Sequence, residues 1–168
     1  MPGTIALVGS GEYLPAMAGL EKSLIDDALA LGKKPTYIQI PTAAGRESQD
    51  RLDYWRALGK AQADKLGVEQ IFLPIYNREG ALNPVLADLI NDSALIYLSG
   101  GDPHHLAESL RDTPVWQSIV KNWNAGSSIA GCSAITVRRS SRMLRPTAQC
   151  NPVTVAAVLT GGDVGIAE

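Results

Sequence analysis

Ala94–Asp102 reads ALIYLSGGD. Five apolar residues stand in a row, followed by a serine, two glycines and an aspartate. A run this short, apolar at successive positions, fits a strand buried on both faces better than a helix. Glycines at its end allow a sharp turn and a close approach of backbone to a ligand. The same design recurs along the chain. Thr4–Val8 (TIALV) closes on Gly9-Ser10-Gly11, and Tyr37–Ile40 (YIQI) is broken by Pro41. Ile71–Ile75 reads as a third strand before Ala94–Leu98, and Ser128–Cys132 as a fifth.

Helical stripes separate these runs. Leu20, Leu24, Ala28 and Leu31 share one face, with Gly32 as the stop. Leu52, Trp55, Gly59, Gln62 and Leu66 mark a second helix closed by Gly67. Asn83-Pro84 places a capping residue before proline at the first helical position, with Val85, Leu86, Leu89 and Ile90 as the expected buried face. Val115, Trp116, Ile119, Val120 and Trp123 form another stripe. Strands alternating with helices imply a parallel sheet covered on two sides. The expected fold is a doubly wound, mostly parallel α/β sandwich of the flavodoxin-like kind. Such sheets bind ligands beyond the carboxyl ends of their strands. Gly9–Glu12, Pro41–Gly45, Gly100–His105 and Ser133 all fall there.

The bulk composition narrows the partners. The 168 residues give a net charge of -2, with 45% hydrophobic and 19% charged residues. That balance suits a folded domain and gives no reason to expect nucleic acid or an anionic membrane as partner. No apolar run approaches the ~20 residues of a membrane span, and the N-terminus lacks the basic region of a signal peptide. A cytoplasmic location is the expectation. Cys132 and Cys150 have neither metal-ligand spacing nor a disulfide framework. No metal and no cofactor are expected, since Gly9-Ser10-Gly11 lacks the third glycine of a dinucleotide fingerprint.

Ile129–Arg142, IAGCSAITVRRSSR, holds the chemistry. A nucleophile elbow is a strand, a sharp turn carrying the nucleophile, and a helix, with small residues flanking the turn. Gly131-Cys132-Ser133-Ala134 supplies the first half, but Ile135 stands where a second glycine belongs. One register earlier, the turn centres on Cys132 between two alanines, which would make a thiol nucleophile. Gly100-Gly101-Asp102 offers backbone N–H groups for an oxyanion, or an Asp102-capped turn into a helix at Pro103. His104 and His105 are the only histidines and so the only candidate bases of that type.

Four segments carry a family. GSGEY at Gly9–Tyr13, IPTAAG at Ile40–Gly45, YLSGGDPHHLAESL at Tyr97–Leu110 and AGCSA at Ala130–Ala134 occur in order along the chain. Together they resemble the serine peptidases related to dipeptidase E (aspartyl dipeptidase) and cyanophycinase, which have a class I glutamine amidotransferase-like fold. The resemblance implies Ser133 as nucleophile rather than Cys132, with the backbone N–H groups of Gly101 and Ala134 lining the oxyanion hole. It implies that Glu12 and Asp102 border the substrate cleft, and that the substrate is a small acidic peptide or isopeptide.

The chain departs from that pattern after Ala134. Family members continue through a glycine into a helix and later supply a histidine with an acidic partner. Here Arg138, Arg139, Arg142 and Arg145 crowd together, Thr136, Val137, Ser140 and Ser141 are poor helix formers, and no histidine follows. Val153–Leu159 reads as a strand. Residues 1–134 are thus read as an incomplete peptidase-like domain and 135–168 as a divergent segment, from a frameshift or truncation. The alternatives are a branch that only binds ligands, and an enzyme whose base is His104, His105 or a partner subunit's group. An incomplete domain should expose apolar sheet surface, so self-association into a homo-oligomer is expected.

Overall fold

The computed structural model describes residues 1–9, residues 11–132 and the backbone of Val155–Thr160. The strands are β1 (Thr4–Val8), β2 (Lys34–Ile40), β3 (Glu69–Phe72), β4 (Ser93–Leu98), β5 (Ser128–Cys132) and β6 (Val155–Thr160). They form one sheet in the order β3-β2-β4-β5-β1-β6. The first five are mutually parallel, and β6 runs antiparallel along β1. The parallel α/β architecture read from the alternation is therefore present. The strand read at Val153–Leu159 exists, shifted to Val155–Thr160.

The helices are α1 (Ala18–Ala30), α2 (Gln49–Leu66), α3 (Arg78–Ala81), α4 (Pro84–Asp88), α5 (Pro103–Leu110) and α6 (Pro114–Asn124). They cover both faces because the strands alternate two apolar sets. Ile38, Ile40, Ile96, Leu98 and Ile129 pack with Leu106, Leu110, Val115, Ile119 and Trp123 of α5 and α6. Ala6, Tyr37, Leu95, Tyr97 and Ala130 meet Leu24, Ile25 and Ala28 of α1, with Ala63 and Leu66 of α2. All six residues of β4 are buried, as its sequence demands of a central strand.

Three details correct the sequence reading. β3 ends at Phe72; the Leu73 N–H still donates to the Gln39 carbonyl at 3.0 Å, Pro74 has no N–H to continue the ladder, and Leu73 and Ile75 are buried beyond the strand. Helix α4 spans five residues, capped by the Asn83 side chain on the Val85 N–H. Val85 and Leu89, expected in the core, are 67% and 47% exposed, and Ala87 with Ile90 are buried instead. In α1 the buried face carries Glu21 and Ile25, whereas Leu31 lies past the helix end and is exposed.

Glu21 is wholly buried and meets Gln62 of α2, whose Nε2 donates to Glu21 Oε2 at 2.8 Å. Oε1 of each residue has no hydrogen-bond partner among the described residues. A proton on Glu21 relieves this, since the acid can then donate. Burial pushes its carboxyl up to about 7, against the Gln62 hydrogen bond and with added repulsion from Glu12. A carboxyl raised on folding stabilises fully below its unfolded value, and that contribution is lost as pH rises to the folded one. Wild-type stability should therefore fall relative to Glu21→Gln by up to roughly 3 kcal/mol between pH 4.5 and about 7. Urea unfolding of both proteins across that range checks this, and parallel curves would refute it.

Candidate active site

The carboxyl ends of β1, β2, β4 and β5 bring the predicted segments together. After β1, Gly11 and Tyr13 have positive φ of 93° and 59°, and Glu12 lies between them. Both Glu12 carboxylate oxygens accept from the Gly100 N–H at 3.1 Å, joining the β1 turn to the β4 turn. The Asp102 N–H donates to the Ala43 carbonyl at 2.9 Å, tying the same turn to the short helical turn Thr42–Ala44 after β2. Between these two anchors sits Gly101, with φ 147°. A Cβ there would lie 2.4 Å from the Ala43 oxygen, so only glycine fits. The Gly101 N–H donates to no group among the described residues, and the residue is exposed.

Asp102 caps α5, its Oδ1 accepting from the N–H of His104 at 2.9 Å and of His105 at 3.2 Å. Its Oδ2 lies 3.5 Å from Arg46 Nη1, an exposed pair of the kind that adds little stability. The His105 N–H, then the His104 N–H and Arg46, hold the Asp102 carboxyl below its usual value, despite partial desolvation. The two histidines part company. His104 is exposed on the first turn of α5. His105 is buried, with Nε2 at 2.8 Å from the Tyr76 carbonyl and Nδ1 at 3.5 Å from Ser109 Oγ. A carbonyl can only accept, so His105 Nε2 carries the proton and donates it there. Its ring is thus committed to structure.

Cys132 is the last residue of β5 and is buried. Burial and the Glu12 charge push its thiol up to about 11, while the Glu12 N–H hydrogen-bonds to it and works the other way. A thiol so held is a poor nucleophile at neutral pH. Iodoacetamide at pH 8 should leave Cys132 unmodified in the folded protein and alkylate it in urea. Peptide mass spectrometry reads this, and equal labelling in both states would contradict it. Ser133, Ala134 and the Arg138–Arg145 cluster lie outside the described residues, as does the boundary at Ala134.

The sequence reading missed the polar network behind Glu12. Burial pushes the Glu12 carboxyl up to about 7, opposed by hydrogen bonds from Gly100, Tyr13 and Ser99, with Glu47 adding repulsion. Tyr13 OH lies 2.9 Å from Ser99 Oγ, and Gln39 Nε2 donates to Tyr13 OH at 2.6 Å. Gln39 also donates to the Trp55 carbonyl at 3.0 Å and accepts from Gln70 Nε2 at 2.7 Å. A polar residue inside YIQI was the available signal, since a fully buried amide must be hydrogen-bonded. Among the described residues, no cluster of three or more His, Cys, Asp or Glu could hold a metal ion. No helix there is long and apolar enough to cross a membrane.

A doubly wound sheet with an open glycine turn at its strand ends offers that turn where such folds place their ligand sites. The chain matches Peptidase family S51 over residues 5–148, and it belongs to that family. It is similar to the crystal structure of a peptidase from an acI-B1 Actinobacterium, with 60% identity and a TM-score of 0.78. That match covers 80% of this chain and 55% of the other. A protein assigned as a peptidase E from Listeria monocytogenes EGD-e shares the fold at 21% identity and a TM-score of 0.57, over 80% of this chain and 60% of its own. The chain thus spans little more than half the length of these relatives. Among curated proteins none matches.

Proposed function

We propose that this chain is a serine-type peptidase scaffold for small acidic peptides or isopeptides, with Ser133 as nucleophile. The observation that carries this reading is the Gly101 N–H, without a partner among the described residues and held between two anchored neighbours at the end of β4. Strand β5, hydrogen-bonded to β4, leads directly into Ser133. In such a site the serine hydroxyl attacks the substrate carbonyl carbon while a base takes its proton. The carbonyl oxygen becomes an oxyanion, which the N–H groups of Gly101 and Ala134 would stabilise as it forms. Donors fixed before the reaction cost no reorganisation during it, so a pinned turn is what this role needs.

The base is the weak part of this chain. His105 donates to Tyr76, His104 is exposed, and residues 134–168 contain no histidine. Turnover by the 168-residue chain should therefore be slow, sustained by oxyanion stabilisation and binding alone. The same placement of the histidines favours a second reading, a domain that binds peptides without cleaving them. Exposed Arg46, 3.5 Å from Asp102 beside the Gly101 turn, would be the cation nearest to hand for an acidic substrate, in competition with Asp102.

Hydrolysis of an aspartyl dipeptide and of its alanyl counterpart, followed by amino-group release, tests the substrate class. The aspartyl peptide should be preferred, with Arg46→Ala reducing the preference by up to about fivefold. Equal rates for both peptides would remove the acidic-substrate reading, and binding of the aspartyl peptide without cleavage would support the second one.

A further inference from the structure

Glu12 spends both carboxylate oxygens on a single backbone N–H, that of Gly100. A substrate-lining acid would be expected to face the cleft, yet here the carboxylate is turned onto the protein's own turn. That N–H belongs to the peptide immediately before the one that carries the Gly101 N–H. The peptide immediately after it is anchored through Asp102 on Ala43. We propose that Glu12 is a positioning residue whose ionised carboxylate, held by Tyr13 and Ser99 with Gln39 behind them, fixes the turn so that the Gly101 N–H stays free for an oxyanion. Protonation of Glu12 slackens that hold. The inference rests on the reading of Gly101 as an oxyanion donor, and it names what controls that donor.

The chemistry follows from the strength of charged hydrogen bonds. An ionised acceptor binds an N–H roughly twice as strongly as a neutral one. Losing the charge therefore weakens one of the two anchors while leaving the other intact. The supporting hydroxyls are themselves constrained. Tyr13 OH accepts from the buried Gln39 amide, which leaves its own proton for Ser99 or Glu12. Gln39 cannot swing away, because Gly59 packs so closely that a Cβ there would lie 2.1 Å from its Oε1.

Among the described residues, the titratable groups electrostatically linked to Glu12 are acids. Glu47 repels it from the loop before α2, and Glu21 of α1 feels its charge. Tyr13, Tyr37 of β2, Tyr97 of β4 and Cys132 of β5 also feel its charge. Burial above all, with a smaller repulsion from Glu47, places the Glu12 titration near neutrality, at about 7. The turn should accordingly be loosely held at pH 6 and firmly held at pH 8.

Nuclear magnetic resonance on the full chain tests this without requiring activity, so its failure is distinct from failure of the peptidase reading. The amides of Gly100 and Gly101 should shift between pH 5 and 9 with the midpoint shown by the Glu12 side-chain carboxyl carbon. Both amides should be flat in Glu12→Gln. Tyr13→Phe and Ser99→Ala each remove a donor that favours the ionised form, so each should raise the midpoint by roughly half a unit or more. A merely structural role for these hydroxyls would leave the midpoint in place. Glu21→Gln should preserve the Gly100 titration. Flat amides in the wild type, a titration that survives Glu12→Gln, or one that vanishes in Glu21→Gln would overturn the proposal. Should Glu12→Gln fail to fold, the Tyr13→Phe and Ser99→Ala midpoints decide, upward in favour and unchanged against.

Discussion

Gly101→Ala should lower stability by about 3 kcal/mol. The two causes are separable. At φ 147° an L side chain is strained whatever its neighbours, at a cost of about 1–3 kcal/mol. The new Cβ would also meet the Ala43 oxygen at 2.4 Å, and that oxygen is the acceptor for the Asp102 N–H. Relieving the clash therefore breaks an anchor of the turn. Two other glycines calibrate the result. Gly67→Ala meets only the φ penalty, at 71° in open space, and should cost about 1 kcal/mol. Gly19→Ala, inside α1 with nothing within 4 Å, should stabilise by roughly 0.5–1 kcal/mol. Urea midpoints of the three variants give the order directly. A Gly101→Ala cost no greater than that of Gly67→Ala would show that the turn is not pinned.

Gln39→Ala should cost about 3–5 kcal/mol, because it strips partners from several buried groups at once. Tyr13 OH loses its donor, the Trp55 carbonyl loses one, and Gln70 Nε2 loses its Gln39 acceptor. An orphaned buried polar group costs about 1–3 kcal/mol, more than its hydrogen bond contributed on balance. Gly59→Ala should attack the same network from the helix side, since its Cβ would strike Gln39 Oε1. The two substitutions are therefore not additive. With Gln39 already alanine, Gly59→Ala should cost nothing and could gain helix propensity. A double-mutant cycle measures this, and additive costs would mean that Gly59 and Gln39 do not constrain each other.

The fold was legible because its signals are periodic. The runs at Ile5–Val8, Ala94–Leu98 and Ile129–Cys132 carry apolar or small residues at consecutive positions, which suits a strand covered on both faces. Caps at Asn83, Asp102 and the Gly67 stop were equally readable, since each satisfies a helix end through its own chemistry. The errors fell where period is weakest. Val85 and Leu89 look like a buried face, but a five-residue helix has too few turns for its stripe to be fixed by pattern alone. Glu21 was invisible for the opposite reason. A carboxylate on an apolar face argues for exposure, and only its pairing with Gln62 across the helix interface makes burial tolerable.

The site divided along the same line. The sequence reading placed Glu12, Gly101 and Asp102 at strand ends, and the structure ties the Glu12 turn to the Gly100–Asp102 turn. The role of the histidines could not be read from a dipeptide, because the direction of each ring depends on where α5 sits. That placement turns His105 onto Tyr76 and leaves His104 in solvent. The relay through Gln39, Tyr13 and Ser99 joins residues up to 86 positions apart, so no local spacing announces it.

The central proposal is that Ser133 is a nucleophile beside the Gly101 oxyanion donor and that neither His104 nor His105 serves as its base. Chemical rescue tests this most directly: hydrolysis of an aspartyl anilide is followed with increasing imidazole in the wild type and in Ser133→Ala. A small freely diffusing base can take the serine proton where no side chain does. Turnover should rise on the order of tenfold or more with imidazole in the wild type and stay at the imidazole-only background in Ser133→Ala. An imidazole response that is the same in both proteins, or absent from both, would contradict the account.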